Sequence, residues 1–408
     1  MRYIVLFGNI FSERDWHRFG CDTFARHGYE IVPVELLSFI KPGQKEKSAH
    51  SGFLSIGNCI QIHTEAELEN LISGVRPDDL VLNGLSFSER TAPVYWMLKK
   101  YAVDYAAFSL GKIPFGWFRH YTAACSFSEY VAFKFSDFIS IAYRAKMLLG
   151  FMTKEKYRWK DIQPPRWWLD AGAHHDMFDV SPVKRSHAQR IAVHSLDIEK
   201  AIQTPDVING NLTTSRKPYA VFLDDGFFGY PDFTYHGIDV PVSPAAYAQS
   251  LSRLFDVIEQ KFGYDVIIAQ HPKSEVEAIR KYLGDRSIVC GETGALTRDC
   301  ELVISHCSTS ISYAVFYRKP ILYVTTNELE QSSFFKPMIV RMSSWLRSRR
   351  VNLDDLNALE ALAPPVVAEG VYQAYESAFL REPDTHIRSI WTELMHSFEG
   401  GLKSVPLK

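Results

Sequence analysis

Runs of apolar residues alternate with longer amphipathic stretches through most of the chain. In the first third, 2–7 (RYIVLF), 30–35 (EIVPVE), 78–83 (DDLVLN) and 104–109 read as strands. Between them, 12–27, 64–74 and 87–102 carry the spacing of helices. Thr64 followed by Glu67 is a capping-box pattern at the start of the second of these. After residue 217 the alternation resumes. Strands are predicted at 218–223, 264–269, 287–290, 301–305 and 320–325. A helix opens at Ser243-Pro244 and runs to about 262, another spans 274–283, and a third of about ten residues follows Ser308-Thr309-Ser310. Strand and helix in alternation predict parallel sheets with crossover helices.

Two segments break the rhythm. Residues 112–168 are rich in aromatic and basic side chains, with a long helix predicted at 128–152 and a stop at Pro164-Pro165. That helix has two readings: a core helix within an acceptor-domain insertion, or a surface helix whose Lys134, Arg144, Lys146, Lys154 and Lys156 meet lipid headgroups. Trp159, Trp167 and Trp168 are candidates to stack on sugar rings of an acceptor. Residues 203–217 are polar and turn-rich, and mark a domain boundary. The expected organisation is a Rossmann-like domain over 1–205 with the 112–168 insertion, a second Rossmann-like domain over 206–375, and a helical segment over 376–408.

Length and composition agree. At about 150 residues per domain, 408 residues suggest two or three. An apolar fraction of 46% supplies two cores. The formal net charge of −2 weighs against a general nucleic-acid binder. Six cysteines are scattered with no CxxC pair, which fits reduced thiols in a cytoplasmic protein better than a zinc site. The apolar N-terminus is broken by Gly8 and Asn9 and reads as a buried strand, not a signal peptide. No stretch reaches the roughly 18 apolar residues of a membrane span.

In open α/β sheets ligands bind beyond the carboxyl ends of strands. Three polar clusters fall there in the second half: Asp224-Asp225-Gly226, His271-Pro272 and Ser308-Thr309-Ser310. Parallel strands place all three along one rim. A carboxylate there can take a proton from a hydroxyl or attack an anomeric carbon. A histidine can assist a leaving phosphate, and hydroxyls at a helix start can hold one. Taken singly, each has an ordinary alternative: a turn, a backbone-bonded histidine, an N-cap. His174-His175-Asp176 could ligate a metal, but a loop after the Pro-Pro pair explains it as well.

In that order, the three clusters resemble the motif set of bacterial sialyltransferases (D/E-D/E-G, HP and Ser-Ser or Ser-Thr) and are similar to that of bacterial Kdo transferases. The resemblance covers about 218–325, with spacings of 47 and 37 residues between Asp224, His271 and Ser308. It implies a GT-B architecture, two Rossmann-like domains facing across a cleft, and transfer of a 2-keto acid sugar (sialic, pseudaminic, legionaminic or Kdo type) from a CMP-activated donor to an oligosaccharide or lipid-linked glycan in surface polysaccharide synthesis. The enzyme would need no cofactor and no obligatory metal, bind no nucleic acid, and work in the cytoplasm, at the inner face of the membrane if the basic helix makes contact there. The resemblance implies Asp224 as catalytic carboxylate with Asp225 and Gly226 as motif neighbours. It further implies His271, with Pro272 behind it, at the departing CMP phosphate, Ser308, Thr309 and Ser310 as phosphate binders, and Glu292 on the ribose. Inversion and retention both stay open. The alternatives are a UDP-sugar transferase or nucleotide-sugar epimerase of the same fold, and a non-catalytic two-domain binding protein.

Overall fold

A computed structural model of the chain describes residues 1–42, 56–114, 162–174, 188–203, 217–229, 239–272 and 274–403. The helix expected at 128–152 and its basic residues, Trp159, His175, Asp176, and most of the boundary stretch 203–217 lie outside the described residues.

Thirteen strands form two sheets among the described residues. The first contains β1 (Arg2–Phe7), β2 (Glu30–Glu35), β3 (Ile60–Gln61), β4 (Leu80–Asn83), β5 (Tyr105–Ser109), β6 (Trp167–Ala171) and β7 (Gln189–Val193), in the order β3-β2-β1-β4-β5-β6-β7. The second contains β8 (Tyr219–Leu223), β9 (Asp265–Gln270), β10 (Ser287–Cys290), β11 (Leu302–Ser305), β12 (Ile321–Thr325) and β13 (Arg350–Asn352), in the order β10-β9-β8-β11-β12-β13. Every pairing is parallel. This is the two-domain Rossmann-like α/β class that the alternation predicts.

The central strands read as unbroken apolar runs because helices cover both faces. In β8 all five residues of YAVFL are buried, and β12 is the same with ILYVT. Burying each such large side chain contributes about 1.5–3 kcal/mol. Helix punctuation follows local chemistry. Thr64 caps Glu65–Ser73 by accepting from the Glu67 N–H, while the Glu67 carboxylate returns to the Thr64 N–H. Pro244 opens Pro244–Phe262, and Gly263, at φ +70°, closes it.

Contacts divide the chain into two units. One takes Met1–Lys112, Ser136–His194 and Arg381–Lys408; the other takes Ile113–Phe135 and Ser195–Leu380. The C-terminal helix Ile390–Lys403 therefore belongs with the first sheet, where Trp391 is fully buried. Trp391 also explains a departure from the expected helix at 12–27, which is two short helices, Glu13–Arg18 and Cys21–Arg26. Gly20 breaks it at φ +67°, and a Cβ there would stand 2.1 Å from Trp391 Cγ. The end of the 112–168 insertion is also not helical. Trp167 and Trp168 are buried in strand β6, so they pack the first sheet instead of lining a groove. The helix after the Ser/Thr cluster is six residues, Ile311–Phe316, not ten. The chain turns out of it through Arg318 at φ +57°, where Arg318 pairs with Glu369 and Glu376.

Candidate active site

In the second sheet the strand order reverses at β8 and β11. Strands β9 and β10 run outward on one side, β12 and β13 on the other. Such a switch point opens a crevice beyond the carboxyl ends of the two strands. Asp224-Asp225-Gly226 leaves β8 there, and His306-Cys307-Ser308 leaves β11.

Asp224 is buried, at 3% exposure. Its Oδ1 accepts the Gly226 N–H at 2.9 Å, a turn that Gly226 completes at φ +78°. Its Oδ2 accepts the His271 N–H at 3.2 Å, while its own N–H bonds Ala269 O at 3.1 Å. One carboxylate thus ties the end of β8 to the corner after β9. Burial raises its pKa, against the pull of the Gly226 and His271 amides. The His271 corner is closed by the Ser274 N–H on His271 O at 2.9 Å and by the Gln270 amide on Ser274 O. His271 and Pro272 are half-buried.

Asp225 is pushed up to about 7 by burial and then by the charge of Asp224, opposed by the backbone N–H groups of Cys307 and His306. Its Oδ2 is buried without a hydrogen-bond partner, yet the residue as a whole keeps some surface open.

Sequence reasoning passed over His306. It is fully buried, with Nδ1 2.7 Å from Val324 O and Nε2 2.8 Å from the Tyr247 hydroxyl. A carbonyl only accepts, so Nδ1 carries the proton and Nε2 accepts from Tyr247. Burial holds its pKa down to about 4, so the ring is neutral. His306 and Tyr247 pack against Phe227. The available signal was positional: His306 follows β11 directly, as His271 follows β9.

Ser308 is half-buried, Thr309 exposed and Ser310 half-buried. The Ser308 N–H bonds Ser305 Oγ at 3.2 Å, and Ser308 Oγ accepts the Ser310 N–H at 3.4 Å. Ser310 stands at the N-cap of Ile311–Phe316 without a side-chain cap bond. Glu292 is half-buried at the N-cap of Thr293–Asp299, two strands from β8 on the same rim. That helix packs closely on the next: a Cβ at Gly294 would lie 2.9 Å from the Tyr313 ring.

Direct bonds and facing amides therefore join Asp224, Asp225, His271 and the His306–Ser308 turn. Glu292 shares only their rim. Among the described residues, no three His, Cys, Asp or Glu side chains gather as a metal ligand set, and no helix is long and apolar enough to cross a membrane.

No protein-family model matches the chain, and no curated protein does. Solved structures of similar fold include the Methanocaldococcus jannaschii UDP-GlcNAc 2-epimerase in complex with UDP-GlcNAc and UDP. It is 11% identical over 98% of this chain and 100% of that one, with a TM-score of 0.47. Acinetobacter baumannii MurG is 8% identical over 99% and 100%, at 0.45. The wall teichoic acid polymerase TagF is 9% identical over 98% and 88%, at 0.49. The likeness is one of fold.

Proposed function

We propose that the chain is a glycosyltransferase that moves a 2-keto acid sugar from its CMP-activated donor to a glycan hydroxyl in surface polysaccharide assembly. The observation that carries this reading is the gathering of an acidic pair, a histidine corner and a hydroxyl-bearing turn at the switch point of the second sheet.

Charge dictates the division of labour. As the C–O bond to CMP breaks, its electron pair goes to the phosphate, and positive character develops at the anomeric carbon. His271 and the hydroxyls of Ser308, Thr309 and Ser310 receive the phosphate. In the inverting course, the acceptor hydroxyl gives its proton to the Asp224-Asp225 pair as its oxygen bonds the anomeric carbon. Gly226 and Pro272 shape the two corners, and Glu292 holds the ribose hydroxyls. CMP is a monophosphate leaving group, so the reading invokes no metal. Its place of action is the cytoplasm, at the inner face of the membrane if the basic stretch within 112–168 makes contact there.

The test is incubation of the full chain with CMP-Kdo, CMP-sialic acid and CMP-pseudaminic acid and a panel of glycan acceptors, scored by product mass and released CMP. Transfer from one CMP donor, lost in His271→Ala with the fold intact, is expected. Turnover of UDP-GlcNAc instead, by transfer or epimerisation, would replace this reading with the UDP-sugar one.

A further inference from the structure

Behind the acidic turn, two tyrosines carry hydroxyls that nothing satisfies. Tyr323 Oη and Tyr375 Oη, like Asp225 Oδ2, are buried and have no hydrogen-bond partner among the described residues. Both tyrosines are fully buried. Tyr323 is the third residue of β12, in register with Ser305, which ends β11 just before the turn that faces Asp225. Tyr375 closes the helix Glu369–Tyr375, where its ring packs against Trp345 and Phe379. Leaving a buried hydroxyl unpaired is costly, and native interiors satisfy such groups with bound water.

Electrostatics place the groups in sequence. The Tyr323 hydroxyl is raised by burial and then by Tyr375, Tyr372, Cys307 and Asp225. The Tyr375 hydroxyl is raised by burial and then by Asp197, a half-buried residue in the first turn of the helix Leu196–Gln203. Tyr323 thus lies within electrostatic reach of both Asp225 and Tyr375, and Tyr375 within reach of Asp197. Tyr372 differs, because its hydroxyl already donates to Lys319 O at 2.8 Å.

We propose that Tyr323 and Tyr375 hold buried water between them and Asp225, and that this chain carries the acceptor's proton to Asp197 and solvent. The proposal rests on the transferase reading above. The open side of Asp225 is where substrates lie, so a proton leaving that way waits for product to depart. Through the interior it does not wait. The carboxyl proton moves to the first water, each hydroxyl takes one proton on its lone pair as it gives up another, and Asp197 passes one to bulk water. Every O–H bond broken is replaced, and no charge stays on a tyrosine.

Tyr323→Phe and Tyr375→Phe test this by removing one hydroxyl and keeping the ring. In a single turnover under weak buffering, an indicator dye follows proton release while quenched samples follow CMP formation. Wild type releases its proton as CMP forms. Y323F and Y375F release it several-fold later, and the double variant is no slower than either, because a serial chain breaks only once. Y372F behaves as wild type. The water site is also read without activity. A crystal structure shows water within hydrogen-bond reach of Tyr323 Oη and Tyr375 Oη, and neither Y323F nor Y375F melts above wild type, since the hydroxyl removed is a solvated one. Prompt proton release in both single variants, additive delays, an equal delay in Y372F, no water at the two hydroxyls or a raised melting temperature overturns the chain. A wild type that transfers from no CMP donor overturns the transferase reading, and the path with it.

Discussion

The carboxyl rims of the two sheets share a topology and differ in chemistry. At the rim of the first, the buried Asp170 at the end of β6 is met by Lys112 Nζ at 2.6 Å and by Arg190 Nε at 2.8 Å. Lys112 Nζ also bonds Gly172 O at 3.1 Å, and Arg190 continues to Glu382. At the rim of the second, the half-buried Asp225 faces a carboxylate and backbone amides. The first arrangement cancels its charge and holds segments of the fold together. The second keeps a carboxyl near its titration point. A parallel sheet supplies the place for a site; whether a cation accompanies the rim carboxylate decides between structure and reactivity.

Three substitutions break or sharpen this contrast. The largest effect is expected from Lys112→Met, which leaves Asp170 with Arg190 alone. Breaking a buried pair by removing one partner costs about 3 kcal/mol, read from urea denaturation, and a loss under about 1 kcal/mol would deny the first rim its structural role. Tyr247→Phe comes next. It leaves His306 Nε2 buried without its donor, at a cost of about 1–2 kcal/mol. Turnover should fall several-fold while KM for donor holds, because the β11 turn that faces Asp225 loosens; unchanged turnover would detach His306 from the site.

The smallest effect concerns the pH dependence of stability. The folded-state pKa of Asp225, about 7, lies above the ordinary 3.8 of an unfolded chain. The folded protein therefore binds more protons in that interval, and stability falls as pH rises through it. Asp225→Asn removes this loss. With water reaching part of the residue, the gain at pH 8 is about 1 kcal/mol, and it vanishes toward pH 4. Parallel melting curves for D225N and wild type across this range would contradict the assigned shift.

Much of this molecule is legible in its residues. The strands that carry the site announce themselves because central parallel strands are apolar throughout, as in YAVFL and ILYVT. Their polar exits stand out against that background, which is how Asp224, His271 and Ser308 are found. The break at Gly20 is not legible, since Trp391 arrives from the far end of the chain to fill the space. Strand β6 is hidden because Trp167 and Trp168 look like sugar-stacking residues until β5 and β7 are seen on either side. Strand β13 has three residues, too few for a period to register. His306 escapes notice because its role depends on Tyr247, 59 residues away. The inequality of Asp224 and Asp225 depends on which amides face each of them, and nothing in the letters DDG records that.

The most direct test of the account is a thermal-shift comparison of wild type and Ser308→Ala with CMP, CDP, UMP, UDP and GDP at equal concentration. A ligand that binds only the folded state adds about 2.7 kcal/mol at a hundredfold excess over Kd. The account predicts that CMP gives the largest shift on wild type and a smaller one on S308A. A shift led by UDP, or the same CMP shift in both proteins, would contradict it and take the phosphate away from the β11 turn.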